Sequence, residues 1–122
     1  MELLQCIILY SALNGIDPKL TQAVIKTESN YNQNAVGQLG EIGLMQIRPE
    51  HVKVTRKQLF DPCTNVKVGT EILKRAMDNC KHKEDNTFVN CYNLGIGGGS
   101  RLRYPKKWRY YVKITANMGR IE

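Results

Sequence analysis

The sequence predicts a mainly α-helical fold, with one domain spanning residues 1–122. Two Asp-Pro pairs, at Asp17 and Asp61, each precede a stretch whose apolar residues recur at helical spacing. No run alternates apolar and polar residues well enough to form a long strand, so at most a minimal β element is expected, in the loop 34–47. With 42% apolar residues and no linker or repeat, the chain is large enough for one hydrophobic core and too small for two.

The first element is the apolar run LLQCIILYSAL, which predicts a core helix that ends at Gly15. Glu2 precedes the run in place of a cationic leader, and no convincing small-residue cleavage site follows it. The run is also too short to cross a bilayer. It is therefore predicted to be neither a signal peptide nor a membrane span.

The second predicted helix begins at Pro18, with Asp17 as its N-cap, and continues to about Asn30, which places Glu28 in its last turn. The third begins after Asp61 and has an apolar stripe made by Val66, Gly69, Ile72, Leu73, Ala76, Met77 and Cys80. A short helix over residues 87–93 leads into LGIGGG, and a C-terminal helix opens at Pro105.

The four cysteines predict two disulfides and an oxidising compartment, with buried free thiols as the alternative. Three pairings are formally possible, and local closure favours Cys80 with Cys91, which leaves Cys6 with Cys63. A metal site is not expected, because no two cysteines are close in sequence and the two histidines stand isolated. No cofactor is expected.

The formal net charge of +7 favours anionic partners such as nucleic acid, anionic lipid or cell-wall polymers. The segment RLRYPKKWRYYVK, residues 101–113, interleaves basic and aromatic residues as nucleic-acid binders do. Clustered charge is also common on a solvated helix whose aromatic residues face the core. We favour that interpretation and expect no nucleic-acid partner.

Glu28 stands where a carboxylate is unfavourable, because the C-terminal end of a helix dipole favours cations. The polar loop that follows it contains Gly40 and Gly43, which permit tight turns, and then Met45 and Gln46. Such a loop can fold back over the helix end and enclose the carboxyl. Since burial raises the pKa of a carboxyl, an enclosed Glu can hold a proton near neutral pH and act as a general acid in glycoside cleavage.

Three motifs carry a resemblance to a known family. The chain reads ES at residues 28–29, GLMQIRP at 43–49 and CYNLGIGGG at 91–99. In this order and spacing they resemble the signatures of the lysozyme-like lytic transglycosylases of the soluble, SLT type. The segment FDPCTNVKVGTEIL, residues 60–73, is similar to the small members that accompany secretion and conjugation machines, and related domains occur in phage particles. The resemblance implies the helical fold shared with goose-type lysozymes.

The resemblance also implies roles for matching residues. Glu28 would be the catalytic acid, and the Tyr92 hydroxyl would orient its carboxyl. Gln46 would hydrogen-bond the sugar, with Met45 packed beneath it. Ser29 would hold the helix end, and Asn93 would support its loop.

The chain departs from the family pattern at several positions. Gly37 replaces the usual serine that is associated with the sugar N-acetyl site, and Gln33 replaces a loop proline. Arg48 replaces a methionine and puts a cation at the groove edge, where it can face a lactyl or peptide carboxylate. Cys91 replaces the alanine of the third motif, which supports a disulfide near the site.

The number of acids bears on the mechanism. A glycosidase uses two carboxylates, whereas a lytic transglycosylase uses one and lets the MurNAc 6-hydroxyl close to a 1,6-anhydro product. Asp61 and Glu50 are explained as a helix N-cap and a first-turn residue. Glu41 is the remaining second acid, and with Glu28 it would support the alternative of a hydrolytic muramidase.

The predicted partners are peptidoglycan strands and a secretion, conjugation or phage entry machine. A monomer is expected, located in the periplasm or otherwise outside the cytoplasm, or on a virion if a phage encodes it. If the protein is exported by the general route, its signal has been removed. A further alternative is a peptidoglycan-binding module that keeps the groove and lacks catalysis.

Overall fold

The computed structural model describes residues 1–80, with side chains as far as Asp78. This part contains the helices α1 (Leu3–Leu13), α2 (Pro18–Ser29), α3 (Arg56–Leu59) and α4 (Pro62–Cys80), and a short 3-10 helix at Pro49–His51. Its β structure consists of two isolated bridges, Val36 with Ile42 and Ile42 with Ile47. The mainly α fold with a minimal β element in the loop 34–47 is therefore confirmed. The helices predicted over residues 87–93 and from Pro105 lie outside the described residues.

The ends of α1 and α2 follow the predicted signals. Asn14 and Gly15 close α1, and Gly15 has a φ of 66°, a left-handed value that suits glycine. The Asp17 Oδ1 atom accepts a hydrogen bond of 2.9 Å from the Lys19 amide and caps α2. At the other end, Asn30 is the C-cap in the left-handed conformation. Glu28 thus lies in the last turn of α2, as predicted.

Asp61 is the N-cap of α4. Its Oδ2 atom accepts hydrogen bonds of 2.9 Å from both the amide and the hydroxyl of Thr64. These bonds favour the charged carboxylate, the amide bond most, and so lower the pKa of Asp61. Its side chain is therefore committed to the helix start.

The sequence analysis did not predict α3. Thr55 and Gln58 form a capping box around its first turn: the Thr55 hydroxyl accepts from the Gln58 amide at 3.1 Å, and the Gln58 side chain accepts from the Thr55 amide at 2.8 Å. The pattern Thr-x-x-Gln was therefore available in the sequence as a helix start signal. The helix is only four residues long, too short for a periodic apolar stripe to reveal it.

The core lies where α1 packs against α2 and α4. Its fully buried side chains come from all four helices and from the loop between α2 and α3, and include Ile7, Ile25, Ile42, Leu44, Leu59, Val66 and Leu73. α1 and α2 also share a buried hydrogen bond of 2.7 Å between the hydroxyls of Ser11 and Thr21. Because both polar groups are paired, their burial does not carry the cost of an unsatisfied hydroxyl.

A disulfide joins Cys6 on α1 to Cys63 at the start of α4, with the two Cα atoms 5.5 Å apart. The predicted pairing of these two residues is confirmed. The predicted bridge between Cys80 and Cys91 lies outside the described side chains. In residues 1–80, no helix is both long enough and apolar enough to cross a membrane.

We expect Cys63→Ser to lower the free energy of unfolding by about 2 to 4 kcal/mol, since the bridge constrains a long loop of the unfolded chain. Its sequence separation is 57 residues. The Cys6 thiol left behind is buried and can remain as a small apolar group. Urea denaturation measures the loss, and peptide mapping without reductant identifies the bridge. Free thiols at both positions, or a crosslink from Cys6 to Cys80, would contradict the pairing.

Candidate active site

The last turn of α2 is tied to the loop that carries the second motif. Glu28 is half-buried there. Beside it, the Ser29 hydroxyl lies 3.1 Å from the Ile25 carbonyl of its own helix and 2.8 Å from the Leu44 carbonyl, and donates towards both. The Leu44 contact fixes the distance between the end of α2 and the loop. The Ser29 hydroxyl therefore links the end of α2 to the loop.

Gln46 adopts an unusual backbone conformation, with a φ of 53°. Its side-chain Nε2 atom donates to the Ala35 carbonyl at 3.2 Å and to the Gly43 carbonyl at 3.0 Å. These two hydrogen bonds fix the orientation of the Gln46 side-chain amide. The Oε1 atom of Gln46 is consequently left on the side of the amide that approaches Gly37.

The Glu41 carboxylate occupies the space beside Gly37 that a side chain at residue 37 would fill. A Cβ atom added to Gly37 would lie 2.6 Å from the Glu41 Oε1 atom and 2.7 Å from the Gln46 Oε1 atom, closer than side chains tolerate. The same Glu41 oxygen accepts a hydrogen bond of 2.7 Å from the Leu39 amide. The absence of a side chain at residue 37 thus makes room for two acceptor oxygens, the Oε1 atoms of Glu41 and Gln46. The Glu41 oxygen also closes the 37–41 turn through its bond from the Leu39 amide.

Met45 is fully buried, with 0% of its surface exposed. Its sulfur and Cβ lie against Gly69 of α4, where a larger residue would collide with them. Gly69 therefore permits the loop to approach α4 closely. Met45 is thus part of the hydrophobic core.

Asn65 on α4 anchors the same loop. Its side chain is fully buried and makes three hydrogen bonds: Nδ2 donates to the carbonyls of Ile42 and Leu59 at 2.9 Å, and Oδ1 accepts from the Met45 amide at 2.8 Å. This residue is not among the site residues that were predicted from the sequence. A polar residue next to Val66 in the apolar stripe of α4 was the available signal, because a buried amide must find partners.

Arg48 forms an ion pair with Glu50 at 2.9 Å, and its Nε atom lies 3.2 Å from the same carboxylate oxygen. Backbone hydrogen bonding in the first turn of the short helix is the main cause that lowers the pKa of Glu50, and the bond from Arg48 adds to it. Both side chains remain accessible to solvent, so the pair contributes little to stability. Glu50 lies in this first turn, as predicted.

The hydrogen bond from Ser29 to the Leu44 carbonyl thus joins the end of α2, which carries Glu28, to the loop that carries Glu41, Met45, Gln46 and Arg48. Tyr92 and Asn93 lie outside the described residues. Within residues 1–80, no three histidine, cysteine or acidic side chains are grouped in a way that could hold a metal ion.

Comparisons with known proteins bear on what this region does. A family model described as transglycosylase SLT domain matches residues 5–111. Invasion protein IagB of Salmonella typhimurium strain SL1344 is 33% identical over 115 residues, which cover 82% of this chain and 71% of that protein. The transglycosylase of Enterobacteria phage PRD1 is 29% identical over 110 residues, which cover 88% of this chain.

A third relative is the membrane-bound lytic murein transglycosylase C of Histophilus somni strain 2336, which is 27% identical over 106 residues and 72% of this chain. The similar region covers 40% of the phage protein and 29% of the murein transglycosylase. The likeness to these two longer proteins therefore concerns one domain of each.

We expect Asn65→Ala to lower the free energy of unfolding by about 3 kcal/mol, because it leaves three buried backbone groups without their partner. Urea denaturation measures the loss. Thr70→Val is the matched control: Thr70 is also a buried polar residue of α4, but its hydroxyl donates towards carbonyls of its own helix and accepts from the Asn14 side chain at 3.3 Å, so it makes no bond to the loop. That variant should lose about 1 kcal/mol. Equal losses in the two variants would show that Asn65 does not anchor the loop.

Proposed function

The chain belongs to the transglycosylase SLT domain family, and is thus a peptidoglycan lytic transglycosylase in the broad sense; we propose that Glu28 is its single catalytic acid and base. The bond cleaved in this proposal is the β-1,4 linkage between MurNAc and GlcNAc. The observation that supports it most is the position of Glu28. This carboxyl is half-buried in the last turn of α2, and Ser29 ties that turn to the loop of Gln46.

The proposed reaction has two proton transfers. In the first, the protonated Glu28 carboxyl donates its proton to the linkage oxygen, the bond from that oxygen to C1 of MurNAc breaks, and GlcNAc leaves with a free hydroxyl. In the second, the Glu28 carboxylate takes the proton of the MurNAc 6-hydroxyl while the oxygen of that hydroxyl forms a bond to C1 of the same sugar. The product is a 1,6-anhydro sugar, and Glu28 is protonated again. No water is consumed, because the substrate supplies its own nucleophile.

The remaining site residues are assigned to binding and orientation in this proposal. Gln46 would contact the sugar through its Oε1 atom, since its Nε2 atom already donates to two carbonyls. Arg48 would face a lactyl or peptide carboxylate, exchanging its exposed pairing with Glu50 for the ligand. Tyr92 would orient the Glu28 carboxyl and Asn93 would support the loop, in line with the third motif. Met45 would support Gln46 from below.

We further propose that the enzyme acts outside the cytoplasm, in the periplasm or on a virion, as a monomer. The similarity to an invasion protein and to a phage transglycosylase supports a link with a machine that crosses the cell wall. The Cys6–Cys63 disulfide supports an oxidising compartment.

Glu28→Gln should fold normally and bind peptidoglycan while losing at least about a hundredfold in rate, since a positioned acid-base group contributes about that much. The rate is measured on purified peptidoglycan, and mass spectrometry identifies the products. Wild-type digests should contain muropeptides that end in 1,6-anhydroMurNAc. Near-normal cleavage by the variant would remove Glu28 from the mechanism, and a wild-type protein that binds without cleaving would be a binding module.

Glu41 is the residue on which the alternative of a hydrolytic muramidase depends. One of its carboxylate oxygens already accepts the Leu39 amide and lies beside Gly37. We propose that this carboxylate supports the developing positive charge on the sugar ring and the shape of the loop, without activating water. An electrostatic contribution of this kind acts in the transition state and does not change the product.

Glu41→Ala should therefore reduce the rate by well under the roughly hundredfold effect of an acid-base group, with anhydro products retained. Gly37→Ala is a companion variant, because its added methyl group would displace both the Glu41 carboxylate and the Gln46 Oε1 atom. It should therefore be slower than Glu41→Ala, since it also disturbs the proposed sugar contact of Gln46. Reducing-end products from wild type that disappear in Glu41→Ala would establish the muramidase instead.

A further inference from the structure

Within residues 1–80, three residues other than glycine have a left-handed backbone: Asn30, Tyr31 and Gln46. All three lie in the stretch of chain between the last turn of α2 and the end of the GLMQI loop. For residues with a Cβ atom this conformation costs about 1 to 2 kcal/mol. Such strain persists where the surrounding structure enforces it, and it tends to occur at functional sites.

Asn30 and Tyr31 differ in how well their conformations are explained. Asn30 is the C-cap of α2, a position where a left-handed asparagine is common. Tyr31 has a φ of 64° and is neither a cap nor a small polar residue. A bulky side chain in this conformation is a true outlier. Asn30 and Tyr31 are the two central residues of a turn that is closed by a hydrogen bond of 3.0 Å from the Asn32 amide to the Ser29 carbonyl, and both have a positive φ. At Tyr31 a bulky residue thus occupies a turn position that glycine and small polar residues normally take.

The chain on both sides of Tyr31 is held firmly. On one side, the Ser29 hydroxyl contacts the Leu44 carbonyl at 2.8 Å. On the other, the Ala35 carbonyl accepts from the Gly43 amide at 2.8 Å and from Gln46 at 3.2 Å. The segment between these anchors is too short to relax independently of them, so the anchors keep Tyr31 left-handed.

The Tyr31 side chain is partly buried and partly accessible to solvent. Its relative exposure is 40%, so the remaining surface is covered by protein. Burial also raises the pKa of its phenol, as expected for a hydroxyl that has lost some of its water. An aromatic ring that protein already covers in part loses less conformational entropy on binding than a fully solvated one.

We propose that Tyr31 is a substrate-binding residue whose ring packs against the apolar face of a sugar in the peptidoglycan strand. The proposal rests on the proposed function, which puts a sugar next to Glu28, three residues earlier in the chain. Aromatic side chains are a common lining of ligand sites because they offer a large apolar surface of fixed shape. In this proposal the ring lies beside the sugar, and a glycine at residue 31 would relieve the backbone strain but lose the ring.

A purely structural role for Tyr31 makes a different forecast. If the ring only covers the core, then the Tyr31→Leu variant would bind the ligand with unchanged affinity, because leucine is also apolar. If the hydroxyl is the useful group, then phenylalanine would be as harmful as leucine. The ring itself is tested by comparing these two substitutions.

The test measures binding of the N-acetylglucosamine tetramer by titration calorimetry, with every variant made in the Glu28→Gln background so that no cleavage occurs. Tyr31→Phe should keep the dissociation constant within about twofold. Tyr31→Leu should weaken binding by about two- to tenfold, the effect expected of one aromatic contact. Asn30→Gly is the matched control, since it relieves the neighbouring left-handed position without touching a ring, and its affinity should not change.

A second measurement does not depend on the leucine variant being folded. In the Glu28→Gln protein, the ring resonances of Tyr31 are assigned by their absence from the Tyr31→Phe spectrum and should shift as the tetramer saturates. Unshifted ring resonances, no binding of the tetramer, or equal affinity of the Leu and Phe variants would each overturn the proposal. These readouts concern binding alone, so a failure of Glu28 as the catalytic acid would leave them intact and would be seen only in the cleavage assay.

Discussion

The three hydrogen bonds of the Asn65 side chain are the interaction on which the rest of the site depends. The loop between α2 and α3 has only isolated β bridges in the described structure, so it lacks a ladder to pair its backbone groups. From within α4, Asn65 supplies partners for two of those groups, the Ile42 carbonyl and the Met45 amide, and for the Leu59 carbonyl at the end of α3. A buried backbone group without a partner would cost about as much as a lost hydrogen bond. One amide on a helix thus does for this loop what a neighbouring strand does in a sheet.

This anchoring explains how the site can hold unfavourable local conformations. The loop is attached to α4 at Asn65 and to α2 at Ser29, so its backbone has little freedom between them. Gln46 and Tyr31 can then keep a left-handed backbone conformation. In an isolated peptide the backbone of each would leave that conformation, because it is unfavourable for residues with a Cβ atom. The position of Glu28 follows from the same contacts, because the helix end that carries it is bonded to the anchored loop.

The sequence predicted the parts of the structure that depend on local chemistry. The start of α2 at Asp17 and the start of α4 at Asp61 follow from capping and proline preferences, which act within a few residues. What could not be predicted depends on contacts between distant residues. The bonds of Asn65 to the loop join parts of the chain 20 and 23 residues apart. The fit of the Glu41 carboxylate beside Gly37 is a matter of three-dimensional packing, and the left-handed backbone at Tyr31 opposes the preference of its own residue type.

Hydrogen exchange at the Met45 amide tests the central claim most directly, because that amide is the donor to the Asn65 side chain at 2.8 Å. Most amides in a loop without a sheet ladder exchange through small local openings, whereas those of a stable core exchange only on larger unfolding. We predict that the Met45 amide exchanges as slowly as the buried amides of α4, since both are released by the same opening. Exchange at the rate of an exposed loop amide, with α4 still protected, would contradict the view that Asn65 fixes the site loop to the core.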